Sequence, residues 1–180
     1  AVDMRGHGKS AKQGRKDWSK RVRQKDKKLF NQLHKDVAAA VKFVRKRRID
    51  RRNIILVGAS VGCSAIIEYA STHDDFAAAI LLSPGTQYFG IASLQHIPKW
   101  ADRPLLMVAP ADEVETGANQ LYKVMGHHRR GIVLSVPQKK AHGTQMLGKV
   151  PRLEQRLIEW AKLRVVDAHR KVGSKKTTGP

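Results

Sequence analysis

The sequence predicts an α/β fold: a mostly parallel, doubly wound sheet with flanking helices. Two observations carry this. Short, unbroken apolar runs rich in branched residues (Ile54 to Val57, Phe76 to Leu82, Leu105 to Ala109, Ile132 to Val136) read as strands buried on both faces. Between them lie segments with apolar residues at helical spacing, so strands alternate with helices along the chain.

Residues 1 to 10, AVDMRGHGKS, begin apolar and end in a polar turn with two glycines, as at the end of a strand leaving a sheet. Residues 11 to 28 are charged and read as loop or weak helix. From 29 to 47 the periodicity predicts a helix, with Leu29, Leu33, Val37, Ala40, Val41 and Val44 on one stripe. Its basic end, Arg45 to Arg48, suits the negative end of a helix dipole. A second helix is expected from Cys63 to Ala70, a third over 116 to 126 capped by Gly126, and a last amphipathic one from Arg152 to Val165. Residues 86 to 103 are irregular. Their apolar members, Tyr88, Phe89, Ile91, Leu94 and Trp100, fit either a pocket wall or core under a loop.

Between the first strand and the helix after it stands Gly58-Ala59-Ser60-Val61-Gly62. A G-x-S-x-G in that context reads as a nucleophile elbow. The sharp turn is expected to leave no room for side chains at Gly58 and Gly62 and to lift the Ser60 hydroxyl toward solvent. The Val61 N–H would then point where charge gathers on an attacked carbonyl oxygen. The bland alternative is a glycine-rich turn that only packs tightly.

Composition bounds the function. The chain has 180 residues, 41% apolar and 28% charged, which suits one globular domain. No apolar run approaches the roughly 20 residues a membrane span needs, and no signal-peptide pattern opens the sequence. The single cysteine, Cys63, fits a reducing compartment and core packing, and a cytoplasmic location is the expectation. Thirty-five Lys and Arg against fifteen Asp and Glu leave a net charge of +20. That field would attract polyanions. Without a nucleic-acid module in the sequence, a basic solvated surface with at most weak, non-specific polyanion binding is the favoured reading. No cofactor is expected, and no metal: His127 and His128 are adjacent, so regular structure points their side chains apart.

Asp3-x-Arg5-Gly6-His7-Gly8-x-Ser10, followed tens of residues later by the elbow, resembles the α/β-hydrolase superfamily. The resemblance covers most of the chain to about residue 165. It implies a catalytic domain over 1–165, the C-terminal part of the family fold without its first strands, and leaves 166–180 as a mobile basic tail. It implies a serine hydrolase acting through an acyl-enzyme on a small ester or thioester. Ser60 is then the nucleophile, His142 the general base and acid, Asp112 the orienting carboxylate, and the Val61 amide an oxyanion donor. His7 becomes a structural turn residue. Asp112 follows strand LLMVA by two residues, with Glu113 and Glu115 as alternatives for its role. The loop that supplies a second oxyanion donor in the family would precede Ala1, so the chain is expected to be a C-terminal piece of a longer protein. A reading from another class has the same scaffold serve, without catalysis, as a module binding nucleic acid or another polyanion through its basic surface.

Overall fold

The computed structural model describes residues 1–125 and 130–175. A four-stranded parallel sheet forms its centre. Its strands are β3 (Ile55–Ala59), β4 (Ala78–Leu82), β7 (Leu105–Pro110) and β8 (Gly131–Val136), in the spatial order β3-β4-β7-β8. Two short antiparallel ladders stand apart from it: β1 (Lys12–Gln13) with β2 (Lys16–Asp17), and β5 (Gln87–Tyr88) with β6 (Ile91–Ala92).

Strand alternation divides the interior into two cores. Ala79, Leu81, Leu105 and Met107 face one side, where α3 (Leu33–Lys46) and α4 (Val61–Ala70) bring Leu33, Val37, Val41, Ile66 and Ile67. Ile80, Leu82, Leu106 and Val108 face the other, against Leu153 and Leu157 of α7 (Leu153–Lys175). Both faces are thus covered, which is why β4 and β7 are apolar at every position. β3 and β8 are the borders, and there Val57 is 60% and Ile132 49% exposed. The shorter helices α5 (Ser93–His96) and α6 (Ala118–Val124) complete the first face.

Several sequence expectations change. Ala1 to Met4 lie outside any strand, because the residues reach the α3 surface instead of the sheet: Arg5 forks onto Asp36 of α3 with contacts of 2.6–3.0 Å. The two glycines of the following turn do hold positive φ, +82° at Gly6 and +47° at Gly8. At Gly6 a Cβ would collide with Val22. His7 bonds the Arg5 carbonyl through Nδ1 at 3.1 Å, as a turn residue would. Residues 11 to 28 are more ordered than expected, forming the β1–β2 ladder, α1 (Ser19–Arg23) and the start of α2 (Lys27–Phe30). The helix expected over 29 to 47 is two. Asp26 caps α2 by accepting from the Lys28 and Leu29 amides, and α3 begins after a turn.

The last helix runs through Lys175 instead of stopping at Val165, so the expected mobile tail is helical at least that far. An Arg164–Asp167 ion pair (3.2 Å) and a His169–Asn53 hydrogen bond (2.6 Å) support the extra turns. Gly126, expected to cap α6, and the pair His127–His128 lie outside the described residues. Among the described residues no helix is long and apolar enough to cross a membrane.

Candidate active site

β3 delivers the chain into the elbow at its C-terminal end. Ser60 sits at φ +53° and ψ −124°, well away from the left-handed helical well, and its amide bonds the Leu82 carbonyl at 2.9 Å. Such a conformation costs on the order of 1–3 kcal/mol in isolation, so the surroundings must hold it. Gly58 allows this: a Cβ there would come within 2.8 Å of the Gly62 backbone and of Ile66. The expectation for Gly62 is not met, since a Cβ at that position would meet open space. The close approach is one-sided: strand backbone at 58 passes over helix backbone at 62. Cys63 tightens the same joint. Its thiol donates to the carbonyls of Gly58 and Leu82, both at 3.3 Å, and burial pushes its ionisation far upward. It is packing, as expected. Val61 opens α4, and the first amides of a helix have no intrahelical acceptor.

The histidine comes from the loop after β8. His142 is half-buried, and Gly143 beside it lies against the elbow: a Cβ at Gly143 would stand 3.8 Å from the Ser60 Cβ and 3.4 Å from that of Ala59. Gly143 takes φ +57° there, and its amide donates to the hydroxyl of buried Ser83 at 2.8 Å. Ser83 follows β4 and itself holds φ +52°. The histidine loop is therefore pinned to the ends of two other strands.

The carboxylate facing His142 is Glu113, not Asp112. Both Glu113 oxygens lie at His142 Nδ1, at 2.9 and 3.0 Å. Asp112 is exposed and accepts the Lys140 backbone amide at 3.1 Å, while Glu115 accepts from Asn119 at 2.7 Å. The reason is local. β7 runs on to Pro110, and the turn after it sends neighbouring side chains to opposite sides. One reaches the backbone of the histidine loop and the next reaches the imidazole. With Nδ1 donating to Glu113, Nε2 carries the free lone pair.

Sequence reasoning left one group undecided. The phenol of Tyr88, on the short β5, lies 3.5 Å from His142 Nε2, and its ring meets the imidazole edge to face at 6.2 Å. It hydrogen-bonds the Ser83 carbonyl at 3.3 Å. Burial pushes the phenol up, and a hydrogen bond from Ser60 works against that. Tyr88 thus stands beside the free nitrogen of the histidine. Of the other apolar residues between 86 and 103, Ile91 and Trp100 are core and Leu94 is exposed. The β5–β6 fold-back, α5 and the turn at 97–99 set these fates, and no periodicity in the sequence announces them.

Among the described residues, no group of three or more His, Cys, Asp or Glu is arranged to hold a metal ion. No curated protein matches the chain. Among solved structures, the esterase domain of a Rhodothermus marinus protein aligns with a TM-score of 0.48 at 15% identity, over 59% of this chain. The chain spans 58% of that domain's length. Residues 1–121, which hold the elbow and three strands of the central sheet (β3, β4 and β7), match the family described as Serine aminopeptidase, S33. With that match over most of its length, and with an elbow serine at the rim of a parallel sheet, the chain belongs to the S33 serine aminopeptidase family of α/β-hydrolases.

Proposed function

We propose that the protein is a serine hydrolase that cleaves a carboxylic ester or thioester through an acyl-enzyme, with Ser60, His142 and Glu113 as its working groups and Asp112 as a brace. The observation that carries this reading is the Glu113–His142 contact, 2.9 Å from carboxylate to Nδ1, on a loop seated against the Ser60 elbow. A serine hydroxyl alone is a poor nucleophile and needs such a base, itself oriented by an acid.

In the first step Ser60 Oγ attacks the acyl carbon and its proton passes to His142 Nε2. Glu113 holds the imidazolium that results. The carbonyl oxygen takes up charge and receives the Val61 N–H, supported by the positive end of α4. Collapse expels the alkoxide or thiolate, which leaves with the proton from Nε2. Water then repeats the sequence on the acyl-enzyme. His142 serves as base only while unprotonated, so the rate is expected to fall on the acid side of its profile. A rate that stayed flat into strong acid would contradict the mechanism.

The test is active-site labelling. A fluorophosphonate should bond Ser60 and no other serine, with the peptide identified by mass spectrometry, and turnover should be screened on short acyl esters and thioesters. An aminoacyl amide belongs in the same panel, because the family's name carries that substrate class. Hydrolysis of the amide in preference to the esters would move the substrate class while leaving the serine chemistry in place.

A further inference from the structure

The Tyr88 phenol is held in place from several directions. Gly85 lies flat under the ring: a Cβ there would stand 2.7 Å from Cε2 and 2.9 Å from Cζ, so any other residue would push the ring away. The Ser83 carbonyl holds the hydroxyl. The next residue, Phe89, turns at φ +46° and sets its ring, tilted by 41°, 4.5 Å from that of Phe30, anchoring the fold-back to α2. The hydroxyl so held lies 3.5 Å from His142 Nε2, on the loop seated against the Ser60 elbow.

That position has a chemical meaning. In the tetrahedral intermediate the acyl carbon is bonded to Ser60 Oγ. One oxygen points to the Val61 amide. The leaving heteroatom must lie near His142 Nε2, because Nε2 protonates it. A donor beside Nε2 is therefore on the leaving-group side of the carbon, away from the oxyanion. We propose that Tyr88 is a catalytic residue that donates a hydrogen bond to the leaving-group heteroatom and so favours substrates whose leaving groups need help to depart. The inference rests on the serine-hydrolase reading of the site.

The step balances without any added reagent. As the intermediate collapses, the carbon–oxygen double bond re-forms from the oxyanion lone pair and the bond from carbon to the leaving heteroatom breaks. The proton on Nε2 moves to that heteroatom. Tyr88 keeps its own proton and only turns its O–H from the Ser83 carbonyl to the departing atom. Half-burial raises the phenol's ionisation, which keeps it a donor at neutral pH.

The experiment uses the full chain and Tyr88→Phe, which keeps the ring, on acetate esters of p-nitrophenol, trifluoroethanol and ethanol. Ser60 labelling by a fluorophosphonate is followed in both proteins. The expected result is a loss of about 10- to 100-fold in kcat/KM on the ethyl ester and under about 3-fold on the p-nitrophenyl ester, with Ser60 labelling retained. The logarithm of the rate should therefore fall more steeply with leaving-group basicity in the variant. A loss that is uniform across the series, or no loss, with labelling intact, overturns the role for Tyr88 alone. Absent Ser60 labelling in the unmodified protein overturns the serine-hydrolase reading and this role with it. Should Tyr88→Phe be insoluble, Tyr88→Met is measured on the same series with the same criteria.

Discussion

The two ends of the central sheet are both rich in polar and charged side chains, yet they do different work. At the N-terminal ends of the strands, arginines surround a groove of about 350 Å³. Each guanidinium there is occupied. Arg51 pairs with Asp74 (3.0 Å), Arg52 with Asp50 (2.7 Å) and Arg130 with Asp102 (2.7 Å). Arg103 is buried, donates to the carbonyls of Ala70 and His73 at 2.7 Å, and lies over the rings of Phe76 and Trp100. At the C-terminal ends there are fewer charges. Instead the backbone is bent into uncommon conformations at Ser60, Ser83 and Lys140, and the polar groups point at one another across three loops. Density of charge does not mark the site. Positive φ alone does not either, since Lys25, Arg48 and Arg152 hold it elsewhere; what sets this end apart is such backbone at Ser60 and Ser83 joined by hydrogen bonds that converge across loops.

This contrast breaks or stands on measurements that address each end. The largest effect is expected at the elbow: Ser60→Ala should lower turnover by about 10⁴-fold or more, read as kcat on the best ester found, with the thermal midpoint little changed. Next comes the carboxylate. Glu113→Gln should cost on the order of 100-fold or more in kcat by releasing the imidazole, whereas Asp112→Asn should cost under about 3-fold. The reverse order would return the orienting role to Asp112. At the opposite end, Arg103→Met should act on stability alone. It leaves the buried Ala70 carbonyl at the end of α4, and the partly buried His73 carbonyl beyond it, without their donors, at about 2–4 kcal/mol by denaturant titration, with kcat of the folded protein unchanged. A loss of kcat in folded Arg103→Met would show that the two ends are coupled. The smallest effect is expected for the exposed pair of Arg51 with Asp74: Arg51→Ala should change stability by under about 1 kcal/mol. The net charge of +20 predicts retention on a heparin column that falls steeply with added salt. Retention that salt does not weaken would point to a specific polyanion site in place of a general field.

Much of the frame was legible because local rules govern it. The strands at 78–82 and 105–110 are apolar at every position, and a strand covered on both faces has no other way to be written. The elbow was legible because a serine between glycines, after a branched apolar run and before a helical stripe, meets few other uses. The N-terminal residues misled because Ala1 to Met4 have strand-like composition, whereas strand pairing depends on a neighbour that composition does not reveal. The sequence pattern predicts an end at Val165 for the C-terminal helix because its final turns carry few apolar residues. They are held instead by the His169–Asn53 bond to a residue distant in sequence.

By itself the sequence determined the alternation of strands and helices and the turn that carries Ser60. Those features follow from periodicity and from backbone preferences acting over a few residues, whereas His142 was named by the family resemblance and its loop is placed by contacts with Ser83 and the elbow. The tertiary structure alone decided that Glu113 faces His142 while Asp112 braces Lys140, and that Tyr88 reaches the histidine while Trp100 enters the core. Adjacent or nearby residues of similar chemistry differ there only in the direction their backbone gives them, and that direction is set by contacts with strands far away in the chain.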